Sequence, residues 1–113
     1  MVIVDDHADF RRAARALLEA EGFAVVGEAE TGRSAIAEVE RLRPAVVLLD
    51  IQLPDLDGFA VAEVLNAGDD PPAIVLVSSR EPEAYGGRVM SSTARGFLSK
   101  REITGAAVSA LVG

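Results

Sequence analysis

The feature of this sequence that most constrains its fold is a strict alternation between two kinds of periodicity. Short apolar runs rich in β-branched residues fit buried strands, and longer amphipathic segments fit helices. Such alternation indicates a parallel sheet with helices on both faces, joined by right-handed crossovers. We predict five strands and five helices, with the strands at Val2 to Asp5, Phe23 to Glu28, Ala45 to Leu49, Ala73 to Val77 and Gly96 to Leu98.

The first helix is predicted to start near Asp9, which can cap free backbone N–H groups, and to stop at Gly22. Its helical spacing gives one buried face formed by Phe10, Ala13, Ala14, Leu17 and Leu18. Proline and glycine, which break helices, end two further helices. These run from about Ser34 to Arg43 and from about Gly58 to Asn66, and a last helix runs from near Glu102 toward Leu111.

The fourth helix, between Glu83 and Ala94, has the least helical composition of the five. Gly86-Gly87 and Ser91-Ser92-Thr93 all disfavour a helix interior. We expect this segment to be short, irregular or mobile.

Length and composition limit what this chain can be. At 113 residues, half of them apolar, it has the size of one globular domain. Its apolar runs are too short to cross a bilayer, and Met1 to Asp5 lack the basic stretch of a signal peptide. Since it also has no cysteine, we expect a cytoplasmic domain without disulfides or membrane contact. The net charge of −7 opposes direct binding of nucleic acid.

Polar residues stand where the predicted strands end. The first strand leads into Asp5-Asp6, the third into Asp50, the fourth into Ser78-Ser79 and the fifth into Lys100. In open parallel sheets a ligand binds outside the carboxyl ends of the strands, at the point where the strand order reverses. If the first and third strands are neighbours there, three carboxylates share one pocket, with a lysine and a hydroxyl at its rim.

Three carboxylates this close repel one another strongly unless a cation lies between them. With only oxygen ligands on offer, and no cluster of Cys or His, the natural cation is Mg²⁺. An Asp beside Mg²⁺ and a lysine can act as a nucleophile toward phosphorus and form an aspartyl phosphate. Taken singly, each of these residues is more often a helix cap, a turn residue or a surface charge, so it is their combination that predicts phosphoryl chemistry.

These residues resemble the receiver domain of bacterial response regulators, and the resemblance covers essentially the whole chain. Val4-Asp5-Asp6-His7 is similar to the family's acidic pair, and the segment from Leu48 to Gly58 resembles its phosphoacceptor loop with the downstream Pro and Asp-Gly. Ser78 and Lys100 stand in register with the family's hydroxyl and lysine. Phe97 stands where the family places its switch aromatic.

The resemblance implies a flavodoxin-like (βα)5 fold of the α/β class, a doubly wound parallel sheet with the strand order 2-1-3-4-5. It implies that Asp50 is the phosphoacceptor and that Mg²⁺ binds beside it. In this reading Asp6 ligates the ion directly and Asp5 assists through water. The implied metal site comprises Asp5, Asp6, Asp50 and the Gln52 backbone carbonyl.

The same resemblance implies roles for the remaining residues of the site. Lys100 would contact one phosphoryl oxygen as a mobile charge, and Ser78 would donate a hydrogen bond to another. Ser78 and Phe97 together would then switch a surface used for dimerisation or output. The implied partner is a sensor histidine kinase, and the domain is a signalling phosphoacceptor that assists its own phosphotransfer and dephosphorylation, not an enzyme.

Four further segments are similar to the NarL/FixJ (LuxR-type) branch of the family. They are His7 after the acidic pair, Phe10-Arg11-Arg12, Gly27-Glu28-Ala29 and Arg43-Pro44. Members of this branch usually carry a C-terminal helix-turn-helix domain. We therefore expect residues 1–113 to be the receiver domain of a transcription regulator whose DNA-binding output domain lies outside this chain, and a homodimer is a further expectation.

Three departures from the family pattern bear on the end of the chain. Arg101 stands where many receivers have a proline, Thr93 stands where they have a glycine, and Gly86-Gly87 interrupt the preceding segment. The departures near the fourth helix leave open a second reading, a phosphorylation-independent pseudo-receiver that acts as an interaction module. Such proteins commonly lose the acidic pair or the lysine, both of which are present here.

Two other classes fit the sequence less well. Phosphatases of the haloacid dehalogenase type need an Asp-x-Asp pattern, whereas Asp50 is followed by Ile51-Gln52 and Asp5 pairs with His7. A flavodoxin-like flavin binder needs a hydroxyl- and glycine-rich phosphate loop after the first strand, where this chain is acidic.

Overall fold

The computed structural model describes residues 1–113, in which five parallel strands form one sheet in the order β2-β1-β3-β4-β5. The predicted α/β class, (βα)5 architecture and strand order are therefore confirmed. The strands are β1 (Val2–Val4), β2 (Gly27–Ala29), β3 (Val46–Asp50), β4 (Ala73–Ser78) and β5 (Gly96–Ser99). The helices are α1 (Ala8–Ala20), α2 (Gly32–Leu42), α3 (Gly58–Asn66), α4 (Arg88–Ser91) and α5 (Gly105–Val112), and two 3-10 segments cover Pro82–Tyr85 and Lys100–Glu102.

The sheet is covered on both faces because alternate residues of each central strand project to opposite sides. Val2, Val4 and Leu49 belong to a buried cluster with residues of α2 and α3. Ile3 and Leu48 belong to a second cluster with Leu18 of α1 and Val108 of α5, among others. This packing holds the sheet on both faces, and because all five strands are parallel, their carboxyl ends lie along one edge of the sheet. No helix combines the length and the apolar composition required to span a membrane.

The second predicted strand, Phe23 to Glu28, is wrong in its first part. β2 covers Gly27–Ala29, because β1 begins at Val2, whose register partner is the first residue of β2. Residues before that point run past the end of β1 and have no strand beside them. They make single hydrogen bonds instead, such as the one from Val26 N to Met1 O at 2.9 Å.

The start of α1 also differs from the prediction that Asp9 caps it. The N-cap residue is His7, which makes no side-chain cap, and its own N–H donates to Asp5 Oδ1 at 2.8 Å. Asp9 lies inside the first turn, is exposed and pairs with Arg12 at 3.2 Å. Asp5 therefore holds the backbone where the chain enters α1.

The buried face of α1 is narrower than predicted. Ala14 and Leu18 are buried and Phe10 is half-buried, whereas Ala13 and Leu17 are exposed. A helix that packs against a sheet buries a stripe along one side, and residues at the margin of that stripe remain accessible.

Helix α2 begins two residues before the predicted Ser34, at Gly32. Thr31 is its N-cap, and the Thr31 and Ser34 side chains accept each other's backbone N–H groups in a reciprocal capping box. The helix ends at Leu42, one residue before the predicted Arg43, because Arg43 adopts a left-handed φ of 47°.

Helix α5 begins at Gly105 and not near Glu102 as predicted. Its N-cap is Thr104, whose hydroxyl accepts the Ala107 N–H at 3.0 Å. The Glu21 carboxylate, from the end of α1, accepts the Gly105 N–H at 2.6 Å. The residues from Lys100 to Glu102 form a 3-10 segment that belongs to the exit of β5.

The fourth helix is short and irregular, as predicted. The segment divides into the 3-10 turn Pro82–Tyr85 and the four-residue helix α4. Between them Gly86 has φ 61° and ψ −134°, a conformation that glycine adopts readily and other residues avoid. The interruption of this helix is therefore a property of the Gly86 backbone.

Candidate functional site

The predicted site residues converge at the carboxyl edge of the sheet. Asp5 directly follows β1, Asp50 ends β3, Ser78 ends β4 and Lys100 directly follows β5. Since β3 lies between β1 and β4, and β5 lies beside β4, these exits stand next to one another. The structure thus brings together side chains that are far apart in the sequence.

A compact acidic group forms where β1 and β3 end. Asp5, Asp6, His7 and Asp50 each offer one ligand atom, and these atoms lie within 4.8 Å of one another. Asp5 and Asp50 are buried, whereas Asp6 and His7 are exposed. The His7 ring nitrogen Nδ1 lies 3.1 Å from both Asp5 Oδ1 and Asp6 Oδ1. The group is therefore anchored inside and open to solvent on its outer side.

Lys100 supplies the positive charge of the site. Its Nζ lies 2.5 Å from Asp5 Oδ2 and 3.5 Å from Asp50 Oδ2, and 4.5 Å from the centre of the Phe10 ring. Asp5 Oδ2 is buried and accepts no other hydrogen bond, so the lysine is its counter-charge. Lys100 thus lies between the two buried carboxylates, at the strand exit where it was predicted.

The environment of Asp50 raises its pKa to about 6 from its ordinary value of 3.8. Burial is the largest cause, because it disfavours the charged form, and repulsion from Asp5 adds to it. Attraction to Lys100 and the hydrogen bond from the Gln52 N–H, 3.2 Å from Asp50 Oδ1, act in the opposite direction. The carboxylate is thus ionised near neutral pH in a pocket that still disfavours its charge.

The donor set fits a hard divalent cation. The acidic group contains three carboxylates, and Lys100 contacts two of them, so the group carries more negative charge than this ammonium group balances. All three offer oxygen ligands, which Mg²⁺ prefers over nitrogen or sulfur. Gln52 lies just beyond Asp50 and pairs with Asp57 in an isolated antiparallel bridge. A role for its carbonyl as a metal ligand remains a prediction.

Ser78 is buried, and its neighbour Ser79 is exposed, which distinguishes the two candidate hydroxyls. Ser78 Oγ accepts the Arg80 N–H at 3.0 Å and lies 2.5 Å from the Tyr85 hydroxyl. Tyr85, which the sequence did not single out, is thus a direct neighbour of a predicted site residue. One feature of the sequence could have pointed to Tyr85. It is the only tyrosine of the chain and stands in a polar segment without other aromatic residues.

Phe97 is half-buried in β5 and packs against the cluster that includes α2 and α3. Its ring centre lies 6.4 Å from that of Tyr85, and the Tyr85 ring lies 5.8 Å from that of Phe59. Phe97 is thus part of an aromatic row with Phe59 and Tyr85, and the Tyr85 hydroxyl of this row contacts Ser78. Its role as a switch remains a prediction.

Arg101 and Thr93, two residues at which the chain departs from the family pattern, leave the geometry of the site unchanged. Arg101 forms an exposed ion pair with Glu81, which joins the exit of β5 to the loop after β4. Thr93 Oγ1 lies 3.5 Å from the Ala62 carbonyl oxygen of α3. Neither residue displaces Lys100 from the two buried carboxylates.

Comparison with known proteins shows the family to which this chain belongs. The family model of the response regulator receiver domain matches residues 1–111. The transcription regulator BvgA of Bordetella pertussis is 35% identical over 102 residues, which are 90% of this chain and 49% of BvgA. The DNA-binding transcriptional activator EvgA of Escherichia coli K12 is 34% identical over 101 residues, which are 89% of this chain and 50% of EvgA. The chain spans about half the length of these curated relatives.

Solved structures show the same relationship. The signal receiver domain of NarL from Mycobacterium tuberculosis matches with a TM-score of 0.87 and 32% identity, over 99% of this chain and 94% of that chain. A LuxR-family DNA-binding response regulator from Staphylococcus aureus matches with a TM-score of 0.88 over 99% of this chain and 97% of that chain. At 19% identity, this second match shows the fold alone. The predicted NarL/FixJ resemblance is confirmed, and the chain belongs to the response regulator receiver domain family.

Proposed function

We propose that this domain accepts a phosphoryl group on Asp50 from the phosphohistidine of a sensor histidine kinase and uses it to switch an output surface. The observation that carries this proposal is the placement of Asp50. Its carboxylate ends β3 beside Asp5 and within 3.5 Å of the Lys100 ammonium group. A buried nucleophile flanked by a metal-binding acid pair and a lysine is what phosphoryl transfer needs.

In the proposed transfer, a carboxylate oxygen of Asp50 attacks phosphorus. A P–O bond forms as the P–N bond to the kinase histidine breaks, and the histidine keeps the electron pair. Lys100 moves between Asp5 and the incoming phosphoryl oxygens, which it can do because one ammonium group serves several acceptors in turn. Asp5, Asp6, Asp50 and the Gln52 carbonyl would hold Mg²⁺, which when bound would neutralise charge on the carboxylates and the phosphoryl oxygens.

The proposed signal starts from the added charge. A phosphoryl group carries roughly −1.5 to −2 charges and strong acceptor oxygens, which favour the Ser78 hydroxyl and Lys100 as partners. Movement of Ser78 would leave space for Phe97 to repack, and this change would bias the surface formed by α4 and β5 between two states.

The descriptions of the relatives support a proposal about the partners of this domain. BvgA is described as a transcription regulator and EvgA as a DNA-binding transcriptional activator. We propose the same setting here: residues 1–113 as a cytoplasmic receiver module, a helix-turn-helix output domain beyond it, and a homodimer of the phosphorylated form. In this proposal the domain signals without turning over a substrate and contacts no nucleic acid itself.

Intact-mass measurement tests the proposal. The purified chain is incubated with acetyl phosphate, with and without Mg²⁺, beside an Asp50→Asn variant. We expect a gain of one phosphoryl group that needs Mg²⁺ and is absent from the variant. No adduct, together with no response to beryllofluoride, would favour a phosphorylation-independent interaction module instead.

A further inference from the structure

The hydroxyl of Ser78 has two hydrogen-bond partners in this structure. A serine hydroxyl offers one O–H donor and two acceptor lone pairs. Ser78 is fully buried, and its Oγ accepts the Arg80 N–H at 3.0 Å. The Tyr85 hydroxyl lies 2.5 Å from the same Oγ. The direction of this second hydrogen bond decides what Ser78 can still offer to a ligand.

Chemistry favours Tyr85 as the donor. A phenol, with a pKa near 10, is much more acidic than an aliphatic alcohol and is therefore the stronger donor of the pair. With Tyr85 and Arg80 both donating, the two lone pairs of Ser78 are occupied. The one group that Ser78 has left is its own O–H, so it can act only as a donor.

The backbone turn and two aromatic neighbours hold the Tyr85 side chain in place. The residue ends the 3-10 turn that begins at Pro82, and its ring packs edge-on against Phe59 and at a tilt against Phe97. Arg88 covers the Phe59 ring at 4.3 Å and pairs with Asp57 at 2.9 Å. The hydroxyl is thus presented to Ser78 by packed rings and not by a loose loop.

Ser78 stands close to the phosphoacceptor along the sheet. The strand residue before it, Val77, is the register partner of Asp50, and the Ile51 N–H donates to the Val77 carbonyl at 3.1 Å. A phosphoryl group on Asp50 presents only acceptor oxygens, for which a hydroxyl restricted to donation is the matching partner. We propose that Tyr85 is a positioning residue that commits the Ser78 hydroxyl to donate to the phosphoryl group on Asp50. This inference rests on the proposed function.

A double-mutant cycle tests the inference. Wild type, Tyr85→Phe, Ser78→Ala and the double variant are incubated with acetyl phosphate and Mg²⁺, and initial rates are read by intact mass. Tyr85→Phe keeps the ring between Phe59 and Phe97 and removes the hydroxyl alone. We expect it to slow phosphorylation by about five-fold, the change that one lost hydrogen bond gives.

The Ser78→Ala background separates positioning from packing. Without the Ser78 hydroxyl, Tyr85→Phe should have no effect on the rate. If Ser78→Ala takes up too little phosphate for a rate, the rise in Tm caused by beryllofluoride and Mg²⁺ serves for the same comparison. An unchanged or faster rate in Tyr85→Phe, or an equal loss in both backgrounds, would overturn the inference. A wild-type chain that takes up no phosphate would instead overturn the proposed function.

Discussion

Asp50 is held between opposing influences on its charge. Burial and the nearby Asp5 raise its pKa, whereas Lys100 and the Gln52 N–H lower it, with the result at about 6. Near neutral pH the group is therefore mostly ionised, as a nucleophile must be. The same value means that its negative charge destabilises the folded protein, because the unfolded chain ionises this carboxylate more easily.

Replacement of Asp50 by Asn should stabilise the metal-free protein at pH 7.5. Because the pKa of Asp50 is raised, this group contributes most to the stability of the folded protein below about pH 3.8, its pKa in the unfolded chain. That contribution to stability is lost as pH rises through about 6, its pKa in the folded protein. Asn stays neutral throughout, and Lys100 keeps Asp5 as its partner. We expect a gain of up to about 3 kcal/mol at pH 7.5, measured by urea unfolding with a chelator present.

The pH dependence provides the check on this stability gain. The stability gain of Asp50→Asn should shrink toward zero as pH approaches 4, because Asp50 is protonated in the folded protein at that pH. Asp69→Asn, the same change at an exposed position, serves as the control and should have little effect at either pH. A gain for Asp50→Asn that does not vary with pH would mean that the carboxylate is not destabilised by its burial.

At the residue scale, the sequence predicted correctly the location of side chains that stand at the end of a strand. Asp5, Asp50 and Lys100 converge because each stands at a strand exit, and strand exits of a parallel sheet share one edge. Tyr85 could not be found in this way. It lies in an irregular segment, and its contact with Ser78 depends on how that segment folds back onto β4.

Among the elements, the segment between β4 and β5 depends most on its glycines. Gly86→Ala should destabilise the protein by about 1–3 kcal/mol, because φ 61° with ψ −134° is strained for any residue with a Cβ. Gly87→Ala is the matched control, since Gly87 has φ −82° and ψ 0° and open space around its Cα. We expect it to be neutral or to stabilise by up to about 1 kcal/mol, because alanine restricts the unfolded chain. Thermal unfolding of both variants measures the contrast.

Equal effects of the two substitutions would contradict this account of the segment. They would mean that the positive φ of Gly86 does not determine where the 3-10 turn of Pro82–Tyr85 ends. Phosphorylation rates of the same two variants would then report whether the turn also affects Tyr85.

Helices and strands differ in how well the sequence predicted their ends. The bounds of α3 were predicted correctly because its signals are local: Asp57 caps it, with its side chain accepting the Ala60 N–H at 2.8 Å. The start of β2 was wrong because a strand exists only where a partner runs beside it, and the first residue of β1, Val2, pairs with Gly27. Helix α1 begins at Ala8, near the predicted Asp9, but Asp9 does not cap it: the N-cap residue is His7, whose N–H donates to the site residue Asp5.

At the scale of the whole molecule, negative charge is both spread over the chain as a net charge and concentrated at the acidic group. The chain carries a net charge of −7, and its acidic group gathers three carboxylates at one edge of the sheet. Mg²⁺ should therefore stabilise the folded protein, because binding to the native state alone shifts the folding equilibrium. At tenfold excess over the dissociation constant the gain is about 1.4 kcal/mol, or several degrees in Tm.

Two controls separate a specific site from general screening of charge. NaCl at matched ionic strength reports the screening contribution, and Asp6→Asn removes one proposed ligand at the exposed side of the site. We expect NaCl to give a smaller rise in Tm than Mg²⁺, and Asp6→Asn to lose most of the difference. A rise of equal size with both salts would show that Mg²⁺ acts only through screening.

The central claim is that the phosphoryl group resides on Asp50, and chemical mapping tests it most directly. After incubation with acetyl phosphate and Mg²⁺, borohydride reduces an acyl phosphate to the alcohol, which converts aspartate to homoserine. Peptide mass spectrometry then locates the converted residue. We predict homoserine at position 50 alone. Conversion at Asp5 or Asp6, or phosphate retained on Ser78 or His7, would contradict the account.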